Sequence, residues 1–321
     1  MGEKTLPGIH HITAIAGDPQ QNIDFYVGLL GLRLVKQTVN FDDPASYHLY
    51  YGDDLGRPGT IMTFFAWPGA PRGRVGAGQV GVTALSIPAT AFDYWRERLA
   101  SHGIAVEEVP ARFGDRVLSF ADPDGMPLEL IAAATDGRTG WASGPVPSEP
   151  AIRGFHAPTL YVRDAAPSER LLTEVMGFRS LAAEGGRVRF AAGAGAPGDL
   201  VDLVTRPGGP SAWQAAGTVH HIAWRTPDDA QQLAWQTELA RWGIGVTEVR
   251  DRQYFHSIYY REPGGILYEI ATDQPGFAID EEPAELGTHL KLPPWLESRR
   301  PQIASALPPI HLPATGQEVA P

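Results

Sequence analysis

The chain has 321 residues, with 26 Lys and Arg against 37 Asp and Glu, for a formal net charge of −11. Its 43% hydrophobic and 20% charged content is that of a folded globular chain, long enough for one large domain or two ordinary ones, and excludes a disordered one. Cysteine is absent, which excludes disulfides and thiolate metal sites, and the acidic balance argues against a nucleic-acid partner. No apolar run reaches the roughly 18–20 residues of a membrane span, and the opening MGEKTLPGIHH has no signal-peptide core, so a cytoplasmic protein with no membrane partner is expected.

In chain order, the first unit (residues 8–67) opens with the short apolar strand GIHHITAI and passes a Pro/Asp turn. It then enters a helix marked by Ile23, Tyr26 and Leu30 that stops at Gly31. The second unit (79–134) repeats the plan: strand, helix with Phe92, Trp95 and Leu99, stop at Gly103, and a Pro-Asp-Gly turn before the last strand. Residues 135–152, rich in Gly, Ser and Pro, read as a linker. A third unit (153–206) has its helix stop at Gly177. The fourth (217–273) has helix positions Trp235, Leu239 and Trp242, a stop at Gly243 and a Pro-Gly-Gly turn. Each of these glycines stands where a helix C-terminus calls for the left-handed conformation. The remainder, 274–321, carries Leu290, Leu292, Pro293, Pro294 and Trp295, a tail expected to pack on the body.

These units are copies of one another. An offset of 140 positions superposes Gly243 on Gly103, Arg252 on Arg112, Pro263 on Pro123, Gly265 on Gly125 and Glu269 on Glu129, without a gap. A fainter offset of 146 puts Gly154 on Gly8, His156 on His10 and Gly177 on Gly31. The chain therefore reads as α+β, four βαβββ modules, with one half at 1–134 and the other at 153–273.

Three polar residues do not belong in the apolar strands that hold them: His11 in GIHHITAI, His221 in TVHHIAWR and Glu269 in GILYEIA. A carboxylate among such neighbours is costly unless it is paired or bound to a cation. Two imidazoles and one carboxylate from three strands match the facial triad of non-haem iron(II) sites, which leaves positions for a substrate and dioxygen together. The repeat provides a control, because Ala157 stands at the equivalent of His11 and Gly81 at that of His221, while Glu129 alone survives at that of Glu269. One site looks built and the other emptied. The plainer alternatives are a hydrogen-bonded core role for each histidine and an ion pair between Glu269 and Arg252. Of each His-His pair the second is taken as the ligand, because Thr13 then shares a face with it. Since the ligands come from modules 1 and 4, those two modules should form one metal-bearing cup, leaving modules 2 and 3 to share the other.

At these residues the sequence resembles the vicinal-oxygen-chelate superfamily, whose members pair βαβββ modules into half-barrels around a metal. More narrowly it resembles the ring-cleaving dioxygenases that act on hydroquinones. The resemblance rests on HHIT at His10, DFYVGLLGLRLVKQTVNFDDP at Asp24, YHLYYGDDLGRPGTIMTFF at Tyr47, VHHIAW at Val219, YREPGGILYEIATD at Tyr260 and LGTHLKLPPWLESRR at Leu286. It implies two half-barrel domains and a metal, Fe(II) or Mn(II), on His11, His221 and Glu269. It also implies acid–base and substrate-binding roles for His10, Thr13, His220, Arg252 and Tyr259. Strand alternation by itself would point His10 and His220 away from the metal, unless a bulge brings them back. His48 and Tyr50 read as packing or edge residues. The implied reaction is extradiol-type opening of a small aromatic diol by O2, in a chain that self-associates into a homo-oligomer. The rival readings are a glyoxalase-like lyase or isomerase, a catechol extradiol dioxygenase, and a metal-free binding module.

Overall fold

A computed structural model describes residues 5–313; residues 1–4 and the end of the expected tail, 314–321, lie outside the described residues. The first module supplies β1 (Ile9–Ala16), α1 (Pro19–Ile23, continued as a π-helical turn over Asp24–Leu29), β2 (Arg33–Asn40), β3 (Asp43–Gly52) and β4 (Ile61–Ala66). The second supplies β5 (Gln79–Pro88), α2 (Phe92–Ser101), β6 (Glu107–Arg112), β7 (Asp115–Ala121) and β8 (Pro127–Ala133). The third has β9 (Gly154–Val162), α3 (Ala166–Arg170, continued as a π-helical turn over Leu171–Val175), β10 (Arg179–Glu184), β11 (Arg187–Ala191) and β12 (Leu200–Thr205). In the fourth are β13 (Thr218–Thr226), α4 (Asp229–Arg241), β14 (Arg250–Asp251), β15 (Phe255–Arg261) and β16 (Leu267–Pro275).

The helices begin and end where local chemistry dictates. Asp18 and Asp228 cap α1 and α4 by accepting the backbone N–H of Gln21 and Gln231. Gly31, Gly103, Gly177 and Gly243 all adopt positive φ, between 69° and 75°, which relieves the chain of a side-chain clash as it turns out of each helix. Ile23, Tyr26 and Leu30 are buried as their spacing demands, as are Trp235 and Leu239. Trp242 departs from that expectation and is 42% exposed, because α4 ends at Arg241 and the helical face no longer governs where its ring points.

The sixteen strands form two curled eight-stranded sheets. In the first the order is β14-β15-β16-β13-β1-β4-β3-β2, so modules 4 and 1 share it; in the second it is β10-β11-β12-β9-β5-β8-β7-β6, shared by modules 3 and 2. Within each module the first strand lies parallel to the last, with the helix and two strands between them, and the modules meet through antiparallel pairs, β1 with β13 and β5 with β9. The expected partnership of modules 1 and 4 is thus the one observed.

Helix side chains and the strand faces beneath them make one large core that includes Tyr26, Trp95, Trp224 and Trp235. At roughly 1.5–3 kcal/mol per fully buried large apolar side chain, this core dominates what holds the two sheets together. Beyond β16, Leu292, Leu296 and Ile303 are buried in the same cluster, the last on helix α5 (Arg300–Ala306), and Lys291 N–H bonds to the Gln37 carbonyl at the edge strand β2. No helix among the described residues is long and apolar enough to cross a membrane.

Candidate metal centre

Register places the candidate ligands before any side chain is considered. Tyr259, Glu269, Ala223 and His11 form one rung across β15, β16, β13 and β1, and His221 and Thr13 stand opposite each other in the β13–β1 pair. Ala223 separates Glu269 from His11, and its single methyl leaves space for the longer side chains on either side. The β1–β13 ladder slips twice. One extra residue, His10, stands between Ile9 and His11, and another, His220, between Val219 and His221. Each slip is a bulge, which rotates a side chain that simple alternation would turn away. His10 and His220 accordingly lie against the candidate ligands: His10 Nδ1 is 2.9 Å from His11 Nδ1, and His220 Nδ1 is 2.7 Å from His221 Nδ1. His220 reaches the cavity wall, whereas His10 stays behind His11, packed on Phe255.

The remaining ring nitrogens converge. His11 Nε2 lies 3.3 Å from His221 Nε2 and 3.3 Å from Glu269 Oε2, and His221 Nε2 lies 2.8 Å from the same oxygen. All three residues are buried, Glu269 completely. Neither imidazole approaches Glu269 Oε2 with the alignment of a hydrogen bond, so this buried oxygen has close neighbours and no donor directed at it. Its other oxygen accepts from Ser257 Oγ at 2.5 Å. Burial by itself would push the Glu269 carboxyl up, but His11 and His221 outweigh it and hold the group well below the usual carboxylate range. Burial first, then the neighbouring imidazoles, push His10 well below its ordinary value and His220 down to about 3.

These observations fit a cation. Nitrogen and oxygen ligands at right angles on a metal with bonds of about 2.1 Å stand about 3.0 Å apart, close to all three edges of the triangle. Each candidate imidazole has its Nδ1 engaged by a neighbouring histidine, in the place where a ligating histidine more often meets a carboxylate, a carbonyl or water, and such a partner fixes the ring's orientation. Among the described residues, His11, His221 and Glu269 make up the whole cluster of metal-binding donor atoms.

The triangle forms part of the wall of a cavity of about 380 Å³, the size of a small-molecule site. Thr13, His220, Arg252 and Tyr259 line it too, together with Phe65, Trp67 and Phe255. Arg252 does not pair with Glu269, as the plainer reading supposed; its Nε donates to the Tyr259 hydroxyl (3.0 Å) and its Nη1 to Asp42 (3.1 Å). Burial and the nearby Glu269 push the Tyr259 hydroxyl up, so it remains protonated. His48 and Tyr50 do pack, as expected, but they also face the cavity. Ser257 and Asp42 were not singled out from sequence. Ser257 had a signal available, since it lies two residues from Tyr259 on the same strand; Asp42, on the β2–β3 turn, had none.

At the equivalent place in the second sheet the donors are spent on one another. Arg112 donates through both terminal nitrogens to Glu129, and Arg189 pairs in the same two-pronged way with Asp202. A side chain at Gly81 would begin 2.1 Å from the Tyr161 ring, so no histidine fits there as the structure stands.

The chain belongs to the Glyoxalase/Bleomycin resistance protein/Dioxygenase superfamily, whose family model matches residues 8–130 and 154–270. It is 48% identical over 312 residues to a Bacillus subtilis protein named "Putative ring-cleaving dioxygenase MhqO", covering 97% of this chain and 99% of that one. It is 36% identical over 307 residues to the chlorohydroquinone/hydroquinone 1,2-dioxygenase of Sphingobium indicum, covering 93% and 95%. The crystal structure of a "putative dioxygenase" from Bacillus subtilis superposes with a TM-score of 0.93 at 48% identity, over 97% of this chain and 99% of that chain. Within the superfamily, the chain is an enzyme of the dioxygenase class.

Proposed function

We propose that the enzyme is an Fe(II)-dependent, extradiol-type dioxygenase that opens the ring of a hydroquinone-type aromatic diol. His11, His221 and Glu269 would hold the metal. The observation that carries this reading is the buried triangle they form at the wall of a cavity lined by aromatic rings, with one carboxylate oxygen left without a donor. A glyoxalase-like lyase ordinarily has a fourth protein ligand, and the described cluster offers three. The hydroquinone dioxygenase among the relatives favours a para-diol over a catechol.

Bound Fe(II) would supply Lewis acidity toward a phenolic oxygen and a route for electrons from the ring to dioxygen. The chain's own residues do the rest. Phe65, Trp67 and Phe255 flank the ring and exclude water. Arg252 lends positive charge to the cavity, complementary to the charge that develops as the ring becomes a ring-opened acid. Tyr259, with its hydroxyl held by Arg252, and His220 are placed to move protons at the reacting oxygens. Both atoms of O2 enter one product, so no external reductant is consumed.

The test is oxygen uptake by protein reconstituted anaerobically with Fe(II) and offered substituted hydroquinones and catechols in parallel. One O2 consumed per hydroquinone, abolished in Glu269→Ala, is the expected result. Tightly bound metal without uptake on any aromatic diol would overturn the proposal.

A further inference from the structure

The cavity that holds the metal triangle does not end at its aromatic walls. Phe41, Asp42, Arg250 and Arg252 line it and also line an adjoining recess of about 400 Å³ that opens to solvent. Asp251 and Trp295 complete the recess, which contains none of His11, His221 and Glu269. The four shared residues therefore join the triangle's cavity to the surface.

Size gives the first argument. A closed apolar cavity of about 150 Å³ is enough for one benzene ring. The metal cavity, at about 380 Å³, is more than twice that, and the recess adds a similar volume. A diol of one ring would occupy about half of the inner cavity and none of the recess.

Chemistry gives the second. Trp295 belongs to the segment that follows β16, where Leu292 and Leu296 are buried in the core and the Leu296 N–H bonds to the Pro293 carbonyl. That turn holds the indole at the recess, 48% exposed, its ring centroid 5.6 Å from that of Phe41 and edge to face with it. Arg250, on β14, has no ion pair and no side-chain hydrogen bond among the described residues, so its guanidinium plane is free to stack. The formal charges of the recess cancel, Arg250 and Arg252 against Asp42 and Asp251, and Asp42 is already paired with Arg252. Nothing there selects a charged group. Two aromatic side chains and an unpaired guanidinium instead suit a flat, uncharged ring, which gains from aromatic contact and from stacking on arginine.

We infer that the substrate is a hydroquinone carrying an aryl substituent, with the diol at the triangle and the second ring in the recess against Trp295, Phe41 and Arg250. Trp295 and Arg250 thereby set specificity through the substituent. The identity of the diol rests on the function proposed above; the preference of the recess for a ring does not.

The test compares phenylhydroquinone with methylhydroquinone, first as ligands of metal-free protein in anaerobic calorimetry, then as substrates of the Fe(II)-loaded enzyme. Phenylhydroquinone should bind the metal-free protein about tenfold more tightly, the weight of one added aromatic contact. Trp295→Ala should remove that ratio, Trp295→Phe should keep most of it, and Arg250→Gln should lower it about threefold. The ratio of the two kcat/KM values should fall in the same proportions. Because Trp295 is half exposed, its removal leaves no cavity in the core. Equal affinity of the wild-type protein for the two diols, or a Trp295→Ala loss that is the same for both, would overturn the inference. A binding preference in a protein that opens no diol would overturn the functional reading alone.

Discussion

Arg112 and Arg252 occupy the same position of the repeat, and the structure assigns them opposite consequences when either is cut to alanine. Arg112 holds Glu129 with two nitrogens, and Glu129 is 2% exposed, so Arg112→Ala strands a buried carboxylate. Breaking a buried pair from one side costs about 3–5 kcal/mol. The lower end, about 3 kcal/mol, applies here because Arg187 lies close enough to share charge with Glu129. Arg252 makes no direct ion pair with a buried acid, and buried Glu269 feels its charge only as a minor contribution. The carboxylate partner of Arg252, Asp42, is 64% exposed, a pair worth under about 1 kcal/mol, and Tyr259 keeps its hydroxyl at the cavity either way. Arg252→Ala should therefore unfold within about 1 kcal/mol of wild type yet lose about 100-fold in kcat/KM, the weight of one charged donor at a reacting centre. The assay is urea unfolding of the metal-free proteins alongside oxygen uptake of the Fe(II)-loaded ones. Arg112→Ala should shift the urea midpoint and leave activity per folded molecule intact. If Arg252→Ala were destabilised as much as Arg112→Ala, Arg252 would be a structural ion-pair residue and the catalytic reading of it would fall.

Three further outcomes are expected. Asp122 accepts the Tyr26 hydroxyl and two backbone N–H groups, and its carboxyl is pushed up to about 6, chiefly by burial. The native state thus binds a proton the unfolded chain has released, so stability falls as pH rises from about 4 to 6, by up to about 3 kcal/mol. Asp122→Asn should remove that slope in unfolding of metal-free protein and be the more stable form above pH 7, at about 1 kcal/mol of cost near pH 4 where the Tyr26 proton loses its acceptor; a difference constant with pH would refute the shift. His220→Ala, by freeing the His221 ring, should weaken metal binding about 10–100-fold in calorimetric titration, and unchanged affinity would show that the Nδ1 contact does not orient His221. Metal affinity should itself fall once pH is low enough to protonate His221, a point that burial displaces below the ordinary imidazole range, and an affinity unchanged down to the pH at which the protein unfolds would exclude His221 as a ligand.

Much of this architecture was legible in the amino-acid order because the repeat is written in residues with narrow physical roles. Glycines that must turn left-handed out of a helix mark the ends of the four module helices, and two histidines and a glutamate in otherwise apolar strands mark the cavity. The pairing of modules 1 and 4 followed from asking that those three side chains meet. Cross-strand detail was less visible. Periodicity along one strand cannot show that His10 and His220 are the extra residues of two bulges, since a bulge is defined only against its partner strand. For the same reason the contacts that link Tyr50 and His48 on β3 to Thr63 on β4 and Thr13 on β1 have no signature in any one of those strands. Trp242 was misread because helical spacing holds only while the helix lasts.

The pairing of the first module with the last also orders events during synthesis. Modules 2 and 3 are neighbours in the chain, so the second sheet can assemble as soon as residue 205 has emerged. The first sheet must wait, because β1 pairs with β13, made some two hundred residues later, and β13 in turn with β16, later still. Contacts this distant in sequence form late in folding. A nascent or truncated chain therefore lacks the complete His11–His221–Glu269 cluster, and the proposed metal site can form only once residue 269 is in place.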